Sequence, residues 1–193
     1  ELAQLLTQEQ WDAIGVDQWV YGKGLPVNCP FPASNRFFVV DEAVKMMLST
    51  APEAPDAKQL CYTDFQTTKF WSTHEWLRYI RGLEAGGATV GHYALADENY
   101  GFSGSPNPEI VAAWFSAILK TDFEGYDPAI YKKTVEEFLV KVGRRKFIVP
   151  MYESMLNGDE KRQQWAREIY KKARPSYHPL SQGTLDALFA SNE

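Results

Sequence analysis

The sequence predicts an all-α domain, a right-handed α-α superhelix of stacked helix pairs, and three observations carry that expectation. Apolar residues recur at helical spacing in successive stretches. Good N-cap residues (Ser72, Asn107, Asp127 and Asp159) stand just ahead of four of those stretches. No stretch alternates apolar and polar residues in the manner of a strand, and no Asn-Gly or Asp-Gly turn joins two such stretches. Successive helices with short connections are the raw material of a solenoid, although no repeat is visible in the sequence itself.

The elements follow in order. Leu2 to Trp19 is amphipathic with little core of its own. The stretch from Gly22 to Pro32 is broken by Gly24, Pro26 and Pro30 and reads as a domain junction. Residues 1–25 are therefore read as the end of a preceding domain and its junction, and 26–193 as one helical domain. Ser34 to Ser49 has a helical pattern, although Phe37-Phe38-Val39-Val40 alone would suit a strand. Ser49 to Asp56 is irregular. Ser72-Thr73-His74-Glu75 is a capping box, followed by Trp76, Leu77, Ile80 and Leu83 on one face. Asn107-Pro108-Glu109 supplies a cap, a first-turn proline and a first-turn acid. Ile110, Val111, Trp114, Phe115, Ile118 and Leu119 then form a wide apolar stripe. Asp127-Pro128 opens a helix whose buried face is Ile130, Tyr131, Val135, Phe138, Leu139 and Val142, with Gly143 as its stop. Asp159 caps a charged helix with Trp165, Ile169 and Tyr170 inward. Thr184 to Phe189 is expected to be a short last helix after the turn Tyr177-His178-Pro179. Long helices are thus predicted over 72–84, 107–120, 127–142 and 159–173.

Composition excludes several classes. The chain has 193 residues, 45% apolar and 23% charged, which suits an ordinary globular domain with a core of its own. A net charge of -5 with mixed signs argues against a nucleic-acid partner. No apolar run approaches the ~20 residues that cross a bilayer, so no membrane partner is expected. Glu1 is not a start methionine and no signal peptide follows it, so the chain is expected to begin inside a longer protein or to be processed. A soluble protein is expected, cytoplasmic or else periplasmic. Cys29 and Cys61 form no C-x-x-C; the alternatives are a pair with each other or, as read here, two free core thiols.

The search for chemistry is mostly negative. Three histidines, His74, His92 and His178, stand at spacings that make no helical metal pair. His74-Glu75-Trp76-Leu77-Arg78 begins like the zinc motif H-E-x-x-H, but a guanidinium cannot replace the second ligand. No metal or other cofactor is therefore expected in this chain, and no catalytic residue. Gly82, Gly86, Gly87 and Gly91 are read as residues of a helix-to-helix turn. The informative segment is Gly143-Arg144-Arg145-Lys146-Phe147-Ile148-Val149-Pro150. Proline is tolerated in the first turn of a helix, so a new helix should start near Lys146 to Val149. Three cations then stand at a helix start, where free N–H groups favour an anion such as a carboxylate or phosphate. Arg144 and Arg145 also follow the preceding helix's C-terminus, where cations are favourable anyway. The residues alone leave both readings open.

That segment resembles the C-terminal domain of leukotriene A-4 hydrolase and related bacterial zinc aminopeptidases. Trp19-Val20-Tyr21-Gly22-Lys23-Gly24-Leu25-Pro26 is similar to that family's W-hydrophobic-Y-x-x-G-L-P junction. Ser72-Thr73-His74-Glu75 with Leu77 resembles its S-S-H-x-L helix start. Asn99-Tyr100, then Asn107, Glu109-Ile110 and Trp114, resembles its N-F…N-x-E-I…W, and Tyr170, Ser176 and His178-Pro179 its terminal Y…S-x-H-P. Each match is weak, but their order and spacing from about residue 19 to 180 make the set specific. The resemblance implies an armadillo/HEAT-like helical domain that closes one side of an active-site cleft. It implies zinc and catalytic acids in an upstream catalytic domain, which would be this chain's own partner, and short peptides as substrates. It assigns Arg144 and Lys146 to the substrate's C-terminal carboxylate. Arg145 stands where an uncharged residue is expected and is a third candidate. The alternative is a free-standing helical-repeat scaffold that binds proteins, but Leu2 to Trp19 is not the polar capping helix such a scaffold needs.

Overall fold

The computed structural model describes residues 6–30, 34–61, 65–121 and 128–192. Every regular element among them is helical: twelve α-helices and two 3-10 turns. Asp127, read as a helix cap, and the side chain of Ile130 lie outside the described residues, as do Leu2 and Pro32. The chain divides into two compact units, Glu1–Ser34 and Asn35–Glu193.

The first unit holds α1 (Gln8–Ile14) and α2 (Val16–Tyr21), and neither has a buried residue. Thr7 and Gln10 form a capping box ahead of α1. Gly15, at φ +65°, ends one helix and starts the other, a conformation that glycine adopts without steric cost. The Asn28 amide donates to the carbonyls of Ile14 and Ala13, at 2.8 and 3.2 Å, tying the irregular stretch back to α1.

The second unit begins with α3 (Asn35–Ser49), so the strand-like run at Phe37 is helical. Val40, Ala43, Val44 and Met47 are its buried face, at helical spacing, while Phe38 is exposed. Two single turns follow, α4 (Ala57–Leu60) and α5 (Phe65–Thr68). Then come α6 (Thr73–Ala85), α7 (Val90–Tyr100), a 3-10 turn (Phe102–Gly104), α8 (Pro108–Ile118), α9 (Pro128–Lys141), α10 (Arg145–Leu156), α11 (Glu160–Ala173), a 3-10 turn (Arg174–Ser176) and α12 (Pro179–Ala190). Packing follows chain order: α6 lies on α3 and α8, α8 on α10, and α10 on α11 and α12. A second row is made by α4 with α7 and α9 with α11. The stacked arrangement of the prediction is therefore present.

Several expectations need correction. Only Gly86 and Gly87 sit at the turn after α6. Gly82 and Gly91 are inside helices and permit close approach: a Cβ on Gly82 would lie 2.8 Å from a Val44 methyl, and one on Gly91 2.6 Å from Pro52. The last helix starts at Pro179, not near Thr184, because His178 caps it with a ring nitrogen accepting from Leu180 N–H and Pro179 fills its first position. Cys61 is fully buried, but Cys29 is only half-buried and is not a core thiol; both are free. Finally, α10 begins at Arg145, so Pro150 falls inside it and not in its first turn. Proline there removes the bond to the Lys146 carbonyl. The helix persists because Phe147, Ile148, Met151 and Tyr152 are buried, Ile148 and Tyr152 on the side away from Pro150, while Pro150 is exposed where water can reach the freed carbonyl.

The core joins all the stacked helices. Trp114, fully buried, meets Phe102 at 4.6 Å and Tyr93 at 5.3 Å between ring centroids. Such aromatic pairs contribute ~0.5–1.5 kcal/mol each beyond their burial.

Candidate functional site

Three helix starts meet at one edge of the α6–α8–α10 row. Asn107, the cap of α8, accepts from Glu109 N–H and donates from its amide to Thr73 Oγ1, at 2.9 Å, on the first residue of α6. Glu109, the second residue of α8, forms an ion pair with Lys146, the second residue of α10. The positive ends of three macrodipoles therefore converge there. Of the three starts, α6 and α8 are capped by side chains, Ser72 and Asn107, but the Arg144 side chain makes no capping hydrogen bond at the start of α10. The Phe147 and Ile148 N–H groups bond the Arg144 carbonyl, while those of Arg145 and Lys146 have no acceptor among the described residues and suit an anion.

The connector that carries Arg144 is held from behind. Ser181 Oγ, on α12, donates to the Gly143 carbonyl at 3.2 Å, and the Tyr177 ring stands 3.3 Å from where a Cβ on Gly143 would be. Tyr177 OH in turn donates to the Leu139 carbonyl at 2.6 Å. The segment around Ser176 and His178-Pro179 thus acts at a distance in sequence, as the support of the α9–α10 turn.

A cleft of about 260 Å³ opens between α6, α8 and α10. Lys146, Glu109, Arg81 and Glu84 are its charged lining, over Phe147 and Pro150. Of the residues predicted from the sequence, Lys146 lines the cleft and Arg144 and Arg145 do not. Arg144 lies beside it, its guanidinium 5.2 Å from the centre of the buried Phe147 ring, and the Lys146 ammonium lies at the same distance. Arg145 is exposed. Glu109 ionises below the ordinary carboxyl value. The Lys146 hydrogen bond is the main cause, burial opposes it, and the charges of Lys146, Arg144 and His74 add to the lowering. In the sequence Glu109 stands out only as a first-turn acid and as part of the family-like Asn107, Glu109-Ile110 pattern. Its pairing with Lys146 crosses two helices, and no local pattern announces it.

The residues of the broken zinc motif do not suit a metal. Glu75 is buried and accepts from Ser72 N–H, Ser72 Oγ and the Arg36 guanidinium. Arg78 makes a two-point pair with Asp41, at 2.7 and 2.8 Å. His92 Nδ1 accepts from Thr89 N–H, and His178 is spent on a cap. Among the described residues, no group of three or more His, Cys, Asp or Glu is placed to hold a metal ion. Among them, too, no helix is long and apolar enough to cross a membrane.

Residues 71–189 match the family described as "Leukotriene A4 hydrolase, C-terminal". The chain belongs to that family. Its curated relatives include leucine aminopeptidase 2 of Neosartorya fischeri, 29% identical over 190 residues that make up 96% of this chain and 27% of the relative. Mouse aminopeptidase B is 21% identical over 84% of this chain and 24% of its own length. This leukotriene A4 hydrolase C-terminal domain also matches the fold of the native leukotriene A4 hydrolase from Saccharomyces cerevisiae, with a TM-score of 0.68 at 19% identity. That match covers 95% of this chain and 30% of the yeast protein. The domain spans only about a quarter of the length of the curated relatives it matches.

Proposed function

We propose that this chain is the helical C-terminal domain of a zinc aminopeptidase, that it closes one side of the active-site cleft, and that Arg144 and Lys146 bind the C-terminal carboxylate of short peptide substrates. The observation that carries the reading is the Lys146–Glu109 pair: an ammonium on an uncapped helix start already holds a carboxylate in a cleft, with Arg144 beside it. The same ammonium and the free N–H groups of α10 suit a substrate carboxylate on chemical grounds. Zinc, in this reading, belongs to the upstream catalytic domain and supplies the bond-breaking chemistry there. The residues of this chain bind and orient, which lowers the barrier by holding the peptide in register. Residues 1–25 are the end of the upstream domain and its junction, and 26–193 are the helical domain. The exposure of Trp19, Val20, Tyr21 and Leu25 supports a covered role for the first segment and speaks against a free-standing scaffold.

The test compares tripeptides ending in a free acid or an amide. A charge-assisted contact is worth ~1.5–3 kcal/mol. Arg144→Ala and Lys146→Ala should each lower kcat/KM for the acid by roughly one to two orders of magnitude and leave little preference for acid over amide. Arg145→Ala, which removes an exposed cation beside the cleft, should cost far less. Equal losses on acid and amide would show that neither residue reads the carboxylate.

A further inference from the structure

Glu109 is over-provided for if its only task is to favour the start of α8. A first-turn carboxylate is stabilised there by the macrodipole and by water alone. Here the side chain instead reaches across to α10 and bonds the Lys146 ammonium inside the cleft. The backbone it reaches from is fixed by the Asn107 cap and by the Asn107–Thr73 hydrogen bond. The Lys146 hydrogen bond and the surrounding cations hold its carboxyl below the ordinary value. Arg144, by contrast, has no ion pair among the described residues and rests on Phe147.

We infer that Glu109 is a positioning residue that competes with the substrate: it holds the Lys146 ammonium in the empty cleft and yields it to the substrate's C-terminal carboxylate. The inference rests on the carboxylate-anchor reading and names how that anchor is tuned. Two carboxylates on one ammonium repel each other, so the second to arrive must displace the first or bind weakly. The pair is open to water, with Lys146 54% and Glu109 32% exposed, so the exchange is cheap. An aminopeptidase releases a shortened peptide that still carries the same carboxylate. A resident competitor therefore weakens product binding as much as substrate binding, and keeps the site from filling with product.

The test uses the intact enzyme that carries this chain, with a tripeptide acid, its amide, and the dipeptide acid product as an inhibitor. Glu109→Gln keeps the shape and removes the charge. It should raise the preference for acid over amide, read as the ratio of their KM values, by about two- to fivefold, and strengthen inhibition by the dipeptide acid by a similar factor. An unchanged or reduced preference would overturn the inference, and so would equal shifts on acid and amide, the mark of a merely structural role. Arg144→Ala separates the two levels. If that variant still prefers the acid as wild type does, the anchor reading fails and this inference with it. If it loses the preference while Glu109→Gln leaves KM unmoved, the anchor stands and only the competition is refuted.

Discussion

At the scale of single residues, Glu75 shows how a motif that looks catalytic is consumed by folding. Its carboxylate is 3% exposed and takes four hydrogen bonds, two from Ser72 and two from Arg36. Burial alone would raise its pKa above the ordinary value. The Ser72 amide, the Arg36 guanidinium and the Ser72 hydroxyl outweigh that and hold it below the ordinary value of 4.5. Glu75→Ala removes a cap and the buried carboxylate that pairs with Arg36, at an expected cost of about 2 kcal/mol, measured by urea denaturation at neutral pH. A carboxyl whose folded-state value is lowered stabilises fully above its unfolded value, and that contribution is lost as pH falls through the folded one. The gap between wild type and Glu75→Ala should therefore narrow below about pH 4. A gap that persists unchanged at pH 2 would mean that the charge is irrelevant.

At the scale of elements, the α3–α6 contact depends on a missing side chain. In an exposed helix, Gly→Ala stabilises by about 1 kcal/mol. At Gly82 the added methyl would meet both γ-methyls of Val44, at 2.8 and 3.1 Å. Val44 is buried and β-branched, so its rotamer cannot swing away. Gly82→Ala should therefore destabilise by about 1–2 kcal/mol. In a Val44→Ala background the same change should become stabilising, toward the helix propensity value. A double-mutant cycle by chemical denaturation checks this, and additive effects would show that the two residues do not meet. The site depends on element-scale support as well, since the Gly143–Arg144 turn leans on Ser181 at the start of α12 and on Tyr177 just before it.

At the scale of the whole molecule, the core among the described residues runs from Val40 to Phe189 and lies within the second unit. In the first unit no residue of α1 or α2 is buried. Cooperative unfolding depends on the apolar surface exposed, and the denaturant slope m follows it. Removing residues 1–34 should leave both the midpoint and m of this chain nearly unchanged in urea. A large fall in m would show that the first unit contributes to the cooperative core.

The helices themselves were legible in the sequence, because caps and apolar periodicity act within one turn of the chain. Asn107-Pro108-Glu109 and Asp159 start their helices where their chemistry says they should, and the stripe from Ile110 to Leu119 is buried as its spacing requires. The presence of three cations at the start of α10 was legible too, although Pro150 misplaced the boundary: local propensity forbids a proline there, and burial of Phe147, Ile148, Met151 and Tyr152 overrides it. Tertiary structure alone decided what those cations meet. Lys146 finds Glu109 across 37 residues, Gly143 is held by Ser181 across 38, and Gly82 faces Val44. Such pairings arise only when separate helices stack, and nothing within one turn of either partner encodes which residue of another helix will stand opposite.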